Sequence, residues 1–219
     1  MIPDPIHLSA AWIAGTAGAS ALLAWAAVGG IGLRLLLAAV VGAGGATLAV
    51  IGSGTGASIV VAGLAAVVLT VRRPRWGVPG WLVCVAGGVV AADGPGMALV
   101  GDALLLGSIT AGLCLGHWFL VDPHLPRKPM RLLAWSALIG LGVVAAVTAM
   151  TGKGMPAIGE VAVPIAVVSG IVSAVALAAV PFSLGVPTYK GVQSATGLFY
   201  VSTMSVGAFV IVASAIRAA

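Results

Sequence analysis

The chain has 219 residues, 61% of them hydrophobic and 7% charged, with a mean hydropathy of +1.20; soluble domains carry about a quarter charged residues. Ten Lys and Arg against five Asp and Glu leave a formal charge of +5, and so few charges cannot coat a 21.4 kDa body, so most of its exterior must face lipid. A water-soluble globule is excluded, as is nucleic-acid binding, which needs a dense basic stripe along one face.

The first residues, MIPDPIHLSAAW, lack the basic n-region of a cleavable signal and pass almost at once into an apolar run, so they are expected to open a first helix. No lipid anchor is expected, because the second residue is Ile2 and the closing IRAA does not read as a prenylation box. At 1.5 Å per residue, about 20 apolar residues cross the roughly 30 Å hydrocarbon layer. On that measure the sequence predicts an all-α polytopic membrane bundle, one domain of about eight transmembrane helices. The spans fall near 9–28, 31–51, 56–72, 78–93, 97–121, 131–150, 157–180 and 195–217. The 32 glycines and the abundant alanine suit helices that approach each other through small side chains. Long unalternating apolar runs do not fit the ~10-residue alternating segments of a transmembrane barrel.

The stretch from Val78 to Val121 is about twice the length one crossing needs and is interrupted by Asp93-Gly94-Pro95-Gly96, a turn signal. Charge asymmetry decides between one crossing and two, because short cytoplasmic loops concentrate Lys and Arg. With eight crossings and both termini outside, Arg34, Arg72, Arg73, Arg75, Arg127, Lys128, Arg131 and Lys190 fall inside, and Lys153 and Arg217 outside. A single crossing would set the Arg127 cluster opposite the Arg72 cluster and remove most of that bias. Trp76, Trp81 and Trp118 lie near helix ends and are expected in an interfacial aromatic belt. The short 78–93 helix is expected to be shielded by neighbours or to lie where the bilayer thins. Cys84 and Cys114 sit in apolar runs and read as packing residues.

No loop is long enough for a soluble domain, so function is expected in the membrane or at its edges. In the fifth helix, Ser108, Gly112 and Gly116 recur at four-residue steps and share a face suited to helix contact. Asp102, near the outer end, reads as a hydrated carboxylate, and its functional reading is a proton or cation site. Fifteen residues, roughly 22 Å of helix, separate it from His117, so the two cannot share a site. His117 is followed by Trp118, Asp122 and His124, then by Pro126-Arg127-Lys128-Pro129. An imidazole there can exchange a proton, hydrogen-bond a carbonyl or ligate a metal. Topology puts the 188–197 loop on the same face, where Lys190, Gln193, Ser194 and Thr196 are expected to meet His117 in one pocket. Capping of the last helix by Ser194 or Thr196 is the competing reading. Lys153 and Glu160 read as a solvated pair in an outer loop. Pro164 and Pro181 bracket the seventh helix, with Ser169 and Ser173 placed to re-satisfy backbone groups freed at Pro164.

Paired axial histidines for a haem are not in reach, since His7 is predicted outside and His117 and His124 inside. No HExxH, di-acidic metal site, GxSxG, P-loop or dinucleotide fingerprint occurs, and no metal site is expected. The pattern points to an integral subunit of a larger respiratory or other redox complex in a bacterial inner membrane, not catalytic by itself. Its partners would be the lipid bilayer and other membrane or peripheral subunits. In that reading a quinone binds at the cytoplasmic edge: His117 meets its carbonyl, Trp118 packs its ring, and Gln193, Ser194 or Lys190 completes the far side. A single-ligand haem or chlorin through His117 ranks behind the quinone. The competing class is a small secondary transporter or channel with Asp102 as coupling-ion site and the 93–96 and Pro164 breaks as gates. A lipid-acting enzyme would have only His117, Asp122 and His124 to call on.

Overall fold

The computed structural model describes residues 4–94, 96–151 and 156–218, and their side chains except at 156–159. These residues form eight α-helices: α1 (Pro5–Trp25), α2 (Ile31–Val50), α3 (Gly54–Leu69), α4 (Val78–Ala91), α5 (Met97–Trp118), α6 (Lys128–Thr151), α7 (Pro156–Gly185) and α8 (Tyr189–Arg217). A 3-10 turn, Pro74–Gly77, leads into α4. There is no strand among the described residues. Six helices, all but α3 and α4, are long and apolar enough to cross a membrane, and the chain is an integral membrane protein. The remaining pair has 16 and 14 residues, short of a full crossing.

Local chemistry sets the helix ends. Asp4 caps α1, its Oδ1 accepting from the Ile6 N–H at 2.9 Å, with Pro5 in the first turn where a missing N–H costs nothing. Between α4 and α5 the chain reverses through Asp93 (φ +57°) and Gly94 (φ +116°), left-handed conformations that Asp tolerates and Gly adopts freely. Two boundaries differ from expectation. α7 runs through Pro181 to Gly185, and α8 opens at Tyr189 rather than 195, so Gln193, Ser194 and Thr196 lie inside a helix, not in a loop or at a cap.

Glycine governs the packing. α5 sits among α1, α6 and α8, while α4 packs on α1 and pairs with α3, and α7 pairs with α8. At the α1–α5 crossing a Cβ on Gly107 would lie 2.0 Å from the Gly15 carbonyl carbon, and one on Gly15 1.9 Å from the Ala103 oxygen. The two backbones touch, as small residues allow in lipid. Trp12 Nε1 donates to Thr110 Oγ1 across the same pair at 2.9 Å. Gly112 lies under the Phe199 ring and Gly116 under Thr196, so this face of α5 seats α8. Gly63 and Gly80, like Gly56 and Gly87, bring α3 against α4 in the same way.

Contacts between loops sort the bundle into two ends. Arg34 at the start of α2 donates to Val71 O and to Gly29 O, joining the α1–α2 turn to the end of α3. Gly32 lies against the Trp118 indole, which adds the end of α5. Arg127 donates to Leu184 O, Val186 O, Pro187 O and Thr188 O, which adds the α7–α8 connection. Eight of the ten basic residues therefore collect at one end.

Several expectations are corrected. Trp81 is not interfacial: it is 1% exposed in the core, and the exposed tryptophans are Trp25, Trp76 and Trp135. Ser169 Oγ donates to Ile165 O and Ser173 Oγ to Ser169 O. Neither reaches Glu160 O, the carbonyl four residues before Pro164, so the serines do not repair the proline. Lys153 lies outside the described residues, and Glu160 is exposed. Cys84 is buried and both thiols are free, as packing residues would be.

Substituting Val for Gly107 should destabilise the fold by about 3 kcal/mol or more, because backbone rather than a flexible side chain blocks the new atoms. Alanine at Gly142, where a Cβ meets nothing within 4 Å, should be neutral. Thermal unfolding in detergent checks both, and equal melting of the two variants would contradict the packing described.

Candidate functional site

Polar chemistry gathers at both ends of α5. At the basic end, a cleft of about 260 Å³ is lined by Gly116 and His117 of α5, by Leu120 just beyond it, and by Tyr189, Val192, Gln193, Thr196, Gly197 and Tyr200 of α8. His117 Nδ1 lies 3.3 Å from Leu113 O, and Nε2 lies 2.8 Å from the Tyr200 hydroxyl. A carbonyl only accepts, so Nδ1 carries the proton in that contact and Nε2 accepts from the Tyr200 O–H. The two rings meet edge to face, 5.5 Å between centroids. Thr196 Oγ1 is used by its own helix, donating to Val192 O at 2.9 Å. Gln193 is exposed, and its amide has no hydrogen bond among the described residues.

The cleft unites part of the expected set. His117, Gln193 and Thr196 meet in it. Trp118 does not, because one residue further along α5 its indole turns away to lie against Gly32. Asp122 and His124 form a local turn, with the His124 N–H donating to Asp122 Oδ1 at 3.1 Å and the imidazole almost fully exposed. Lys190 is exposed at the start of α8, and Ser194 Oγ shares a 3.3 Å hydrogen bond with Ser183 Oγ of α7. Sequence reasoning missed Tyr189 and Tyr200. The signal was present: residues 189, 193, 196 and 200 step by four, three and four, one face of a continuous helix. It was hidden by starting the last helix too late.

Arg127 places this face. Its guanidinium binds four carbonyls at the end of α7 and in the linker to α8, groups that a helix C-terminus leaves without partners. It thereby fixes where α8 begins relative to the end of α5.

At the other end Asp102 departs from expectation. It is not hydrated but fully buried, 0% exposed, and Oδ2 accepts from Arg217 Nη2 at 2.8 Å and from His7 Nε2 at 3.1 Å. The cluster ties α1, α5 and α8 together. Asp102 Oδ1 and Arg217 Nη1 are buried without a hydrogen-bond partner among the described residues. Beside it, a cleft of about 320 Å³ is lined by Asp4, His7, Thr151, Ser214 and Arg217, among others. His7 and Arg217 carried no site signal in the sequence, because the partners lie 95 and 115 residues from Asp102.

Among the described residues no three His, Cys, Asp or Glu side chains group as metal ligands. Both nitrogens of His117 are engaged, so axial ligation of a haem or chlorin would require Tyr200 to leave. No protein-family model, curated protein or solved structure matches the chain.

Leucine in place of Arg217 strands a buried carboxylate and should cost about 3–5 kcal/mol, whereas the double exchange D102L/R217L should recover most of that loss. Unfolding of the four proteins of this cycle in detergent measures the coupling. A double variant no more stable than R217L would show that the pair is not coupled.

Proposed function

We propose that this protein is an integral subunit of a larger redox complex in a bacterial inner membrane, and that its His117–Tyr200 cleft receives a quinone headgroup. The observation that carries the reading is the 2.8 Å contact between Tyr200 and His117 Nε2, in a cleft of mostly apolar lining beside the unpaired amide of Gln193. A quinone presents two carbonyl acceptors on a flat apolar ring. On quinone binding the Tyr200 O–H turns from His117 Nε2 to one carbonyl and the Gln193 amide donates to the other, which leaves Nε2 open to take up a proton and return it to the Tyr200 oxygen. Reduction of a quinone to a quinol takes two electrons and two protons. Protons can come along Tyr200 and His117, while the electrons belong to a partner subunit. Eight of ten basic residues share this end, which supports a cytoplasmic placement of the cleft with both termini outside.

The transporter reading draws less support. Arg217 already meets the charge of Asp102, so a coupling ion there would have to displace a guanidinium.

Purification in mild detergent, with solvent extraction of the retained quinone, tests the proposal. Bound quinone and stoichiometric partner proteins are expected. H117A and Y200F should each lower quinone retention about two- to tenfold, the worth of one hydrogen bond, at unchanged melting temperature. Equal retention in both variants would remove the site, and a quinone-free protein that drives proton-coupled uptake in liposomes would establish the transporter instead.

A further inference from the structure

The α3–α4 hairpin is too short for the layer it sits in. Its helices have 16 and 14 residues, roughly 24 and 21 Å at 1.5 Å per residue, against roughly 30 Å of hydrocarbon. The hairpin is also held in place. Gly88 sets α4 on the backbone of Ala10 in α1, the glycine pairs lock α4 to α3, and Arg34 ties the end of α3 to the α1–α2 turn. A fixed hairpin shorter than the bilayer draws the nearby headgroups inward.

The hairpin tip is built to meet them. Arg72, Arg73, Arg75 and Trp76 are all exposed, and the Arg73 guanidinium lies 6.0 Å over the Trp76 ring. A cleft of about 340 Å³ is lined by Leu69, Thr70, Arg72, Arg73 and Trp76, with Leu69 86% exposed on its apolar side. Among the described residues no carboxylate lies within 4 Å of the three arginines. Asp122 is the acidic residue of this end, and it is turned to its own loop. Three uncompensated guanidinium groups drawn towards hydrocarbon need an anion there.

We infer that the hairpin tip is a binding site for an anionic phospholipid. The phosphodiester lies on Arg72 and Arg73, whose planar forks match phosphate oxygens, and the upper acyl chain and glycerol run along Leu69 and Trp76. Arg75 adds its field. A zwitterionic lipid brings its own ammonium group into that field and binds less well. This site is independent of the quinone reading.

The test uses the full chain, delipidated in detergent and titrated with phosphatidylglycerol or phosphatidylcholine, with bound lipid counted by native mass spectrometry. Phosphatidylglycerol should be retained in preference, and the R72Q/R73Q/R75Q variant should lose it about tenfold or more, while K128Q/R131Q keeps it. If the triple variant does not fold, R73Q and W76A serve instead, each losing about threefold. Equal retention of the two lipids, retention unchanged in the arginine variants, or displacement by equimolar glycerol phosphate would overturn the site. So would loss of a co-purifying acidic subunit in the arginine variants with lipid retention intact.

Discussion

Everything in this bundle hangs on the contact between the backbones of α1 and α5. Lipid tails are as apolar as leucine, so burial from water does not drive helices together, and close dispersion contact must do so. Gly15 and Gly107 supply it by having no side chain to separate them. Once α5 is fixed, its small residues Gly112 and Gly116 receive Phe199 and Thr196 of α8. That seating turns Gln193 and Tyr200 over His117 at one end and brings Arg217 to Asp102 at the other.

The two ends then solve opposite electrostatic problems. At the basic end, Arg34 and Arg127 spend their donors on carbonyls that helix ends leave open, which makes two of the eight cations structural. At the other end a carboxylate is taken wholly out of solvent beneath a guanidinium and an imidazole that are themselves partly buried. Taking charges out of water is unfavourable even when they are paired. The pair joins α8 to α5 at this end, as the His117–Tyr200 contact does at the other.

Composition and apolar run length made the helices legible, because lipid leaves the backbone no alternative to helix over such runs. Eight helices occur close to the expected spans, and six of them are long and apolar enough to cross a membrane. The boundaries that slipped were those at polar residues. The Gln193-Ser194 pair looked like a linker, yet packing of Gly191 against the Ser183 and Val186 carbonyls carries the helix back to Tyr189. That same slip hid Tyr189, and with it the helical face that Tyr200 shares. His117 with Gln193 and Thr196 is legible from loop topology, but Trp118 faces Gly32 instead, because adjacent residues on a helix point about 100° apart. The Asp102 cluster was not legible at all. Its partners come from the start of α1 and the end of α8, and no local pattern records a meeting over that distance.

The Asp102 cluster also bears on how the nascent protein enters the bilayer. The ribosome delivers α5 well before α8, so the carboxylate reaches the membrane when His7 is the one partner yet synthesised. Through the insertion of α6 and α7 that half-built set persists, and it closes when the helix carrying Arg217 arrives. Until then α5 carries a carboxylate that lipid disfavours, and the arrival of α8 supplies its cation.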